Sequence, residues 1–466
     1  MDYKQLGFKA GLEIHQQLDT TKLFCSCPSL LREDRPNFMV TRDLRAVSGE
    51  GGEIDIAALH EQAKGLRFVY EGYNDTTCLV ELDEEPPHAI NNDALSIALI
   101  IAALMHCEIP EYTQVMRKTV VDGSNTSGFQ RTILIGRNGW IEVNGKRIGI
   151  NYLILEEDSA RRTAEDARSV NYRLDRLGIP VVEIVTAPDM KTPEEVKETA
   201  AVIGMMLRST RGVRRGIGTI RQDVNISITG HARVEMKGVQ DLRDMTKYVE
   251  KEVERQIKTK GKEEPHVRNV KPDFTSKYLR PLPGAARMYP ETDIPLIIPK
   301  ATHVEMPELI EEKARRFIAL GLGKDLAAFV AKSDKGQLFE EFVQRYKDIN
   351  PAFIAEVLTA KLVELKRDFG VEHVTDEMLQ ELFTLLDSGK ITKEIVGDAL
   401  VEMAQGKFDE EKYKTVDKKE LAKELQQIIE QNKGAPFGAL MGIAVSRLKG
   451  KASGKEIAEM LKNISP

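Results

Sequence analysis

The chain has few cysteines, no large excess of one charge and no long hydrophobic run. Four cysteines among 466 residues do not suggest a disulfide framework, so a reducing cytoplasm is the expected location. The formal net charge of -6 excludes binding of nucleic acid by the chain as a whole, and any RNA contact must come from local patches. The most apolar run, Ala94 to Met105, is too short to span a bilayer, and the first residues show no signal-peptide pattern. No membrane association is therefore expected, and there is no internal repeat or low-complexity tract.

Residues 1 to about 295 alternate strand-like runs with turns and occasional helices. The turn signals Asn138-Gly139 and Asn144-Gly145 separate consecutive strand candidates. This pattern predicts an α+β fold, a mainly antiparallel sheet with helices packed on it. The predicted strands are 8–18, 77–82, 112–121, 132–136, 140–143, 147–156, 179–186, 218–228 and 232–239. The predicted helices are 54–63, 91–106, 193–210 and 239–259.

From residue 306 onward the periodicity is helical. The helical segments are 306–320, 323–332, 335–348, 351–368, 375–387 and 391–405, followed by a charged linker at 407–419. We therefore divide the chain into a domain at 1–295, an all-helical domain at 296–408 and a small helical tail domain at 409–466. Residues 431–466 hold six basic and two acidic residues, a local balance of +4. The candidate RNA-binding residues in this tail are Arg447, Lys449, Lys451 and Lys455.

Two short runs, Ile220 to Ile228 and Ala232 to Val239, contain the strongest chemical signal. Both alternate with period two, so each is predicted to be a strand with one apolar and one polar face. Acids, an amide and cations on a rigid hairpin suit cation binding together with phosphate neutralisation. A plain solvent-exposed hairpin is the alternative. The polar-face candidates are Arg221, Asp223, Asn225, Glu235 and Lys237.

Three other segments place acids beside apolar strands. In the first strand Glu13 and His15 share one face, which suits a metal pair, although a lone strand histidine is often only hydrogen-bonded. Glu156 and Glu157 follow an apolar strand, where they are either a solvated end or cation ligands. Glu183 lies within an apolar strand and needs a partner, because an unpaired buried carboxylate is unfavourable.

A glycine- and hydroxyl-rich loop and an arginine run are candidates for phosphate contact. The loop at 122–128 could hold phosphate on its amides, although it is not a Walker A sequence. The arginines near residue 215 could contact polyphosphate or an RNA backbone, or form a solvated turn. Cys25 and Cys27 could belong to a zinc site, but their spacing is shorter than in ordinary zinc knuckles.

Taken in order, several motifs resemble the B/E family of tRNA-dependent amidotransferase components, and among them the archaeal E branch. The resemblance covers nearly the whole chain. The motifs are Gly11-Leu-Glu-Ile-His15, Arg117 to Thr132, Leu155-Glu-Glu-Asp158, Ile179 to Val185, Arg221 to Ser227, Glu235-Met-Lys237, Pro283 to Met288 and Tyr289 to Pro295. The end of the chain, with Gly450-Lys-Ala-Ser-Gly-Lys455, is similar to the tail domain of the family.

The resemblance implies a cradle of antiparallel sheet, a helical domain and a tail that binds tRNA. It implies phosphorylation of the γ-carboxylate of Glu-tRNA(Gln) with ATP and Mg²⁺, followed by displacement of phosphate by ammonia. The ammonia would come from an asparaginase-like D-type partner, in a heterotetramer with two copies of each component. It also implies site roles. The metal ligands would be His15, Glu156, Glu157, Glu183, Asp223 and Glu235. The catalytic set would be Glu13, His15, Glu157, Glu183, Asp223, Asn225, Glu235 and Lys237. ATP would contact Arg117, Ser124, Asn125, Ser127, Gly128, Arg215 and Arg221.

Two departures from the family limit this transfer. Bacterial B-type members often have a Cys-x-x-Cys pair where this chain has Asp75-Thr-Thr-Cys78, so a four-cysteine zinc site cannot form from matching positions. Archaeal E-type members usually carry an inserted domain, but here only a polar stretch at about 260–282 occupies its place. The alternatives to a transamidating ligase are a noncatalytic adaptor that presents tRNA and a small-molecule amide ligase. Acids on the polar faces disfavour the adaptor, and the basic tail disfavours the small-molecule ligase.

Overall fold

The chain divides into two units, Met1–Leu309 and Ile310–Pro466. The structure, a computed structural model, describes every residue except 47, 49–51, 260, 262, 283, 285–286, 301–305, 334, 372, 414, 417, 449 and 465–466. Among the described helices, none combines the length and the apolar character needed to cross a membrane.

The first unit is built on a large sheet with the strand order β13-β12-β11-β10-β1-β9-β6-β5-β4-β14. All of its neighbouring strands run antiparallel except β11 and β12. The predicted α+β class and the mainly antiparallel sheet are confirmed. The strands of this sheet are β1 (Lys9–Gln17), β4 (Val115–Thr119), β5 (Phe129–Val143), β6 (Lys146–Glu157), β9 (Pro180–Thr186), β10 (Ile220–Ser227), β11 (Val234–Lys237), β12 (His266–Val270), β13 (Ser276–Pro281) and β14 (Met288–Pro290).

Helices cover one face of this sheet and leave the other face open at its centre. Alternation along β1 sends Leu12 and Ile14 into the core and leaves Glu13 and His15 on the opposite face. The core continues into three helices through residues such as Ala98, Ile203 and Val249. In the described residues of this unit the α-helices are α1 (Ile56–Gln62), α2 (Asn92–Leu104), α3 (Pro193–Ser209) and α4 (Leu242–Thr259), all at predicted positions.

A second, four-stranded sheet supports the loop at 122–128. Its order is β2-β3-β8-β7, and its core contains Tyr70 and Tyr172. The hydroxyl of Tyr70 donates to the carbonyl of Gly123, and the hydroxyl of Tyr172 donates to the carbonyl of Asp122, each at 2.9 Å. The loop is therefore fixed by buried tyrosines. The strands are β2 (Phe38–Arg42), β3 (Arg67–Gly72), β7 (Arg161–Glu165) and β8 (Ser169–Arg173).

Two local predictions were wrong. Residues 77–82 form turns and not a strand, because the carboxylate of Glu81 accepts a hydrogen bond from the amide of Cys78 and folds the segment on itself. Asn138-Gly139 lies inside β5, whereas Asn144-Gly145 is the hairpin turn, with positive φ at both residues. Glycine at 139 serves close packing instead, since a Cβ there would lie 2.5 Å from the carbonyl oxygen of Met105.

The polar stretch at 260–282 is not a simple loop. It contains β12 and β13, which pair antiparallel and extend the large sheet beyond β11. The alternation in this stretch is masked by charged side chains, so sequence periodicity missed both strands.

The second unit is helical in its described residues, as predicted, but the predicted linker at 407–419 contains the short helix Glu410–Tyr413 and the start of the following helix. The predicted segment 351–368 contains a π-helical turn, Val357–Lys361, between two α-helices. A separate apolar core that includes Leu425, Ala444 and Leu461 joins the last three helices. The division of this unit into a helical and a tail domain stays a prediction. Its helices are α5 (Ile310–Ala319), α6 (Lys324–Lys332), α7 (Gly336–Arg345), α8 (Pro351–Glu356), α9 (Leu362–Phe369), α10 (Asp376–Asp387), α11 (Val396–Ala404), α12 (Glu410–Tyr413), α13 (Lys418–Gln431), α14 (Phe437–Arg447) and α15 (Gly454–Ile464).

Candidate functional site

The open face of the large sheet carries a polar cavity of about 660 Å³, which we call the first cavity. Strand register assembles it, because His15 on β1 lies opposite Glu183 on β9 and opposite Arg221 on β10. Glu13 lies opposite Asp223 on β10 in the same way. Directly opposed residues point to the same face of a sheet, so these side chains converge. The lining also includes Lys118, Ser124, Glu156, Asp158, Glu235 and Lys237.

His15 is surrounded by carboxylates. Its Nε2 atom lies 3.8 Å from Glu13 Oε1, 3.6 Å from Glu156 Oε1 and 3.6 Å from Glu183 Oε2. Burial alone would lower the pKa of His15, but the bond to Glu183 and the other acids raise it to about 9. Burial and the neighbouring Glu183 raise the pKa of Glu13 to about 7. At neutral pH this group therefore holds a protonated imidazole among carboxylates.

Lys118 is the second cation of this cluster. Its Nζ donates to Glu156 and lies 3.5 Å from Glu183. Burial would lower the pKa of Lys118, yet Glu156 and Glu183 together hold it above its ordinary value. Burial would also raise the pKa of Glu183, but Lys118 and His15 hold it well below its usual range. The buried carboxylates are thus compensated by nearby cations.

Lys237 joins two of the predicted site acids. Its Nζ lies 2.7 Å from Asp223 Oδ2 and 2.9 Å from Glu235 Oε1, and these acids hold its pKa high despite burial. Asp223 and Glu235 therefore share a cation supplied by the protein itself. This triad borders the first cavity beside the cluster around His15.

Arg221 closes the cavity on the side of the glycine-rich loop. Its guanidinium lies 2.8 Å from Asp158, which also accepts a 2.6 Å bond from Gln17. Burial opposes ionisation of Asp158, but Arg221 and Arg176 hold its pKa below the usual value. Ser124 of the loop lines the same cavity.

Glu157 does not join the group in which the sequence placed it. It neighbours Glu156 on β6, so its side chain points to the opposite face, where Arg131 lies 3.4 Å away. Glu291, which is fully buried, binds Arg131 at 2.9 Å and also accepts from Arg117. The same alternation turns Arg117 away from the first cavity and Lys118 into it.

The remaining predicted residues lie outside the first cavity. Asn225 lines a neighbouring cavity on the same face, and the exposed Arg215 donates to the carbonyl of Arg208. The buried Asn125 accepts from Ser159, and Ser127 donates to the carbonyl of Phe129, within the turn that ends at Gly128. Sequence reasoning missed several lining residues. A strand-face assignment was the needed signal for Lys118, Gln130, Asn269 and Arg280, whereas Asp122 and Arg287 lie outside the strands.

Glu13, His15 and Glu183 could hold a divalent cation. Each offers one ligand atom, and these atoms lie within 4.8 Å of one another. Glu13 and Glu183 supply carboxylate oxygens, the ligand type that Mg²⁺ takes in proteins, and Glu156 lies beside them as a third carboxylate. A cation would also replace the proton on His15, because it compensates the same acids. The residues present therefore fit such an ion.

A second candidate metal group lies below the loop at 122–128. The sulfur atoms of Cys25, Cys27 and Cys78 and a carboxylate oxygen of Glu81 lie within 4.8 Å of one another. Glu81 thus takes the fourth position that no cysteine could fill. Lys22, whose side chain is fully buried, contacts Glu81 at 2.8 Å and offsets part of the negative charge. Three thiolates and one carboxylate are ligand types that zinc accepts in tetrahedral sites.

We expect the purified chain to retain about one zinc ion after zinc loading and gel filtration, as structural zinc sites do. Cys78→Ser removes a ligand and should lose this ion, whereas Cys107→Ser should keep it, because Cys107 lies outside the group. Inductively coupled plasma mass spectrometry measures the zinc content. Equal zinc contents in the two variants would contradict this assignment.

Comparison with known proteins gives matches over most of the chain. Residues 8–305 match the family described as the GatB/GatE catalytic domain, and residues 337–464 match the GatB domain. The chain is 38% identical to a protein of Methanocaldococcus jannaschii, over 99% of both chains. It is 37% identical to a protein of Archaeoglobus fulgidus, over 99% of this chain and 98% of that protein. Both relatives are named as the E component of a glutamyl-tRNA(Gln) amidotransferase.

These alignments are longer than the chain itself. The alignment with the Methanocaldococcus protein covers 622 positions, which exceeds the 466 residues by 156. That relative therefore contains sequence of at least this length without a counterpart here, in agreement with an inserted domain that is missing from this chain.

Proposed function

The chain belongs to the GatB/GatE family, and we propose that it converts Glu-tRNA(Gln) to Gln-tRNA(Gln) as the catalytic component of an amidotransferase. It would use ATP to phosphorylate the γ-carboxylate of the tRNA-bound glutamate, and ammonia would then displace the phosphate. The names of the relatives support the tRNA substrate and the amidotransferase activity. We further propose an asparaginase-like partner as the source of ammonia, in a heterotetramer with two copies of each component.

The observation that supports this most is the alternation of acids and cations around the first cavity. A carboxylate is a poor acyl donor to ammonia, and phosphorylation supplies a better leaving group. Phosphoryl transfer depends on positioning and on neutralising charge more than on a protein nucleophile. Lys118, Lys237 and Arg221 border the cavity from three sides and would neutralise phosphate oxygens. Their own acids, Glu156, Glu235 and Asp158, fix their positions.

Magnesium would be held by Glu13, His15 and Glu183, with Glu156 adjacent. When bound, it would neutralise phosphate charge and orient the transferred group. Asp223 and Glu235 act instead through Lys237, whose Nζ they hold at the edge of the cavity. The hydroxyl of Ser124, in the tyrosine-supported loop, donates to Asp122 Oδ1 at 2.6 Å, so it would donate to a phosphate oxygen only after leaving that carboxylate.

The tail would contribute RNA contacts. Arg447, Lys451 and Lys455 are all exposed. Arg447 lies 3.2 Å from Glu424, and Lys455 lies 4.0 Å from Glu459. Lys449 lies outside the described residues. Exposed lysines bind phosphate backbones without sequence preference, so they would add affinity and not specificity.

The test uses purified chain, ATP, Mg²⁺ and ammonium chloride as the nitrogen source. ADP release and the amino acid esterified to tRNA(Gln) are followed with charged tRNA and, as the control, with uncharged tRNA. We expect ADP and Gln-tRNA(Gln) only with Glu-tRNA(Gln). Tight tRNA binding without either product would favour the noncatalytic adaptor, and turnover of free glutamate without tRNA would favour a small-molecule ligase.

A further inference from the structure

A second cavity of about 230 Å³ lies beside the first cavity on the same face of the large sheet. Gly11 on β1 lies opposite Asn225 on β10. This pair is two residues along the strands from the pair of Glu13 and Asp223. Because two residues span about 7 Å along a strand, the two cavities are neighbours along the strand direction. Asn151, Val185 and Ser227 complete the floor of this second cavity.

The chemistry of the second cavity differs from that of the first. Among the residues that the structure describes, its lining combines apolar side chains with amide and hydroxyl groups and contains no carboxylate. Lys9 and Arg233 stand at its edge with exposed side chains, and neither forms an ion pair with a described residue. Uncompensated cations beside neutral hydrogen-bonding groups suit a nucleotide, whose phosphate and base need these two kinds of partner.

An exposed tyrosine, Tyr152, neighbours two lining residues of the second cavity, Asn151 in sequence and Val185 across the strand pair. Tyr152 lies opposite Val185 in the pairing of β6 with β9, and its side chain is 51% exposed. An irregularity in register between Ile150 and Tyr152 occurs at this position. Unpaired bases of RNA characteristically stack on exposed aromatic rings. Tyr152 therefore provides a stacking surface next to hydrogen-bonding amides.

From these features we infer that the second cavity binds the 3′-terminal adenosine of the tRNA, so that the esterified amino acid extends into the first cavity. This inference rests on the proposed function. An extended glutamyl group measures about 5 Å from its ester carbon to its γ-carboxylate, given bonds of about 1.5 Å, which is close to the separation of the cavities. A cavity that served only as a route for ammonia would need neither the exposed cations nor the aromatic ring.

Gly11 keeps this cavity open. Its Cβ position lies 3.4 Å from the carbonyl oxygen of Thr186, an ordinary contact, and its φ is not positive. The backbone thus accepts a side chain at position 11, but a branched one would fill the cavity. Gly11→Val is expected to weaken binding of intact tRNA without disturbing the sheet, since valine favours strands.

The experiment measures equilibrium binding of the full chain to uncharged tRNA(Gln) with and without its terminal adenosine, at one fixed salt concentration. For the wild-type chain, removal of the adenosine should weaken binding about tenfold, the effect of losing one base–aromatic stack. In Tyr152→Ala, intact tRNA should bind as weakly as the shortened tRNA. Tyr112→Ala is the matched control, because Tyr112 is 56% exposed in the same unit but precedes β4, which β5 separates from the strand of Tyr152.

The inference would be overturned if removal of the adenosine weakened tRNA binding by the same factor in Tyr152→Ala and Gly11→Val as in the wild-type chain. If these variants instead raised only the KM for ammonium chloride, the cavity would be a route for ammonia. Both results would leave ATP hydrolysis with charged tRNA intact in the wild-type chain, so failure of this inference is distinct from failure of the proposed function. If Gly11→Val unfolds like the wild-type chain but binds intact and shortened tRNA equally, this result supports the inference independently of the tyrosine.

Discussion

Glu156→Gln is expected to lower the rate of tRNA-dependent ATP hydrolysis by at least about 100-fold, the effect of removing one preorganised charge from a catalytic site. Glu156 lies 3.6 Å from His15 and also binds Lys118. The amide keeps the shape of the side chain but loses the charge that positions both cations. ADP release with Glu-tRNA(Gln) measures the effect, and thermal unfolding shows whether the fold is intact.

Glu157→Gln is the matched control, since it changes the neighbouring residue on the same strand. Glu157 faces Arg131 on the other side of the sheet, and Arg131 keeps Glu291 as a second partner. This variant should retain most of the ATP hydrolysis. The reverse result, with Glu157→Gln inactive and Glu156→Gln active, would favour the grouping suggested by the sequence and contradict the site described above.

Lys118→Met is expected to destabilise the first unit by about 3 kcal/mol, because removing one member of a buried ion pair leaves the other uncompensated. Lys118 is the cation that Glu156 and Glu183 share. Urea unfolding followed by tryptophan fluorescence measures this unit, since Trp140 is the single tryptophan and lies in β5. Lys146→Met removes a half-exposed pair with Glu195 and should cost less than about 1 kcal/mol.

The destabilisation in Lys118→Met should depend on pH with a definite sign. Although burial acts in the opposite direction, Lys118 and His15 hold the pKa of Glu183 below its ordinary value of 4.5. A depressed carboxyl pKa contributes stability above the unfolded-state pKa, and this contribution is lost as the pH falls. The difference between wild type and variant should therefore be full at neutral pH and shrink below about 4.5. A difference that grows on acidification would contradict the role of Lys118.

Much of the fold followed from local pattern. The period-two alternation of β1, β10 and β11 predicted their strands and separated Leu12 and Ile14 from Glu13 and His15. Helical periodicity likewise located α1 to α11, whereas α12 lies in the predicted linker and α13 to α15 were predicted only as one helical tail. All four strands of the second sheet, the short β14 and the charged strands β12 and β13 were missed. The side chains of β7, β12 and β13 are mostly polar, and β3 and β8 pair across distant segments of the chain.

By itself the sequence determined the family, the fold class and most of the residue types in the site. Tertiary structure alone decided which of two adjacent residues enters it: Glu156 or Glu157, Lys118 or Arg117. Both faces of β6 are buried at this end, so alternation separates the two acids without indicating the face on which the cavity lies. Only the pairing of β6 with β9 and of β9 with β1 brings Glu156 to His15 and leaves Glu157 to Arg131. Strand order between distant segments sets that choice, and no local pattern encodes it.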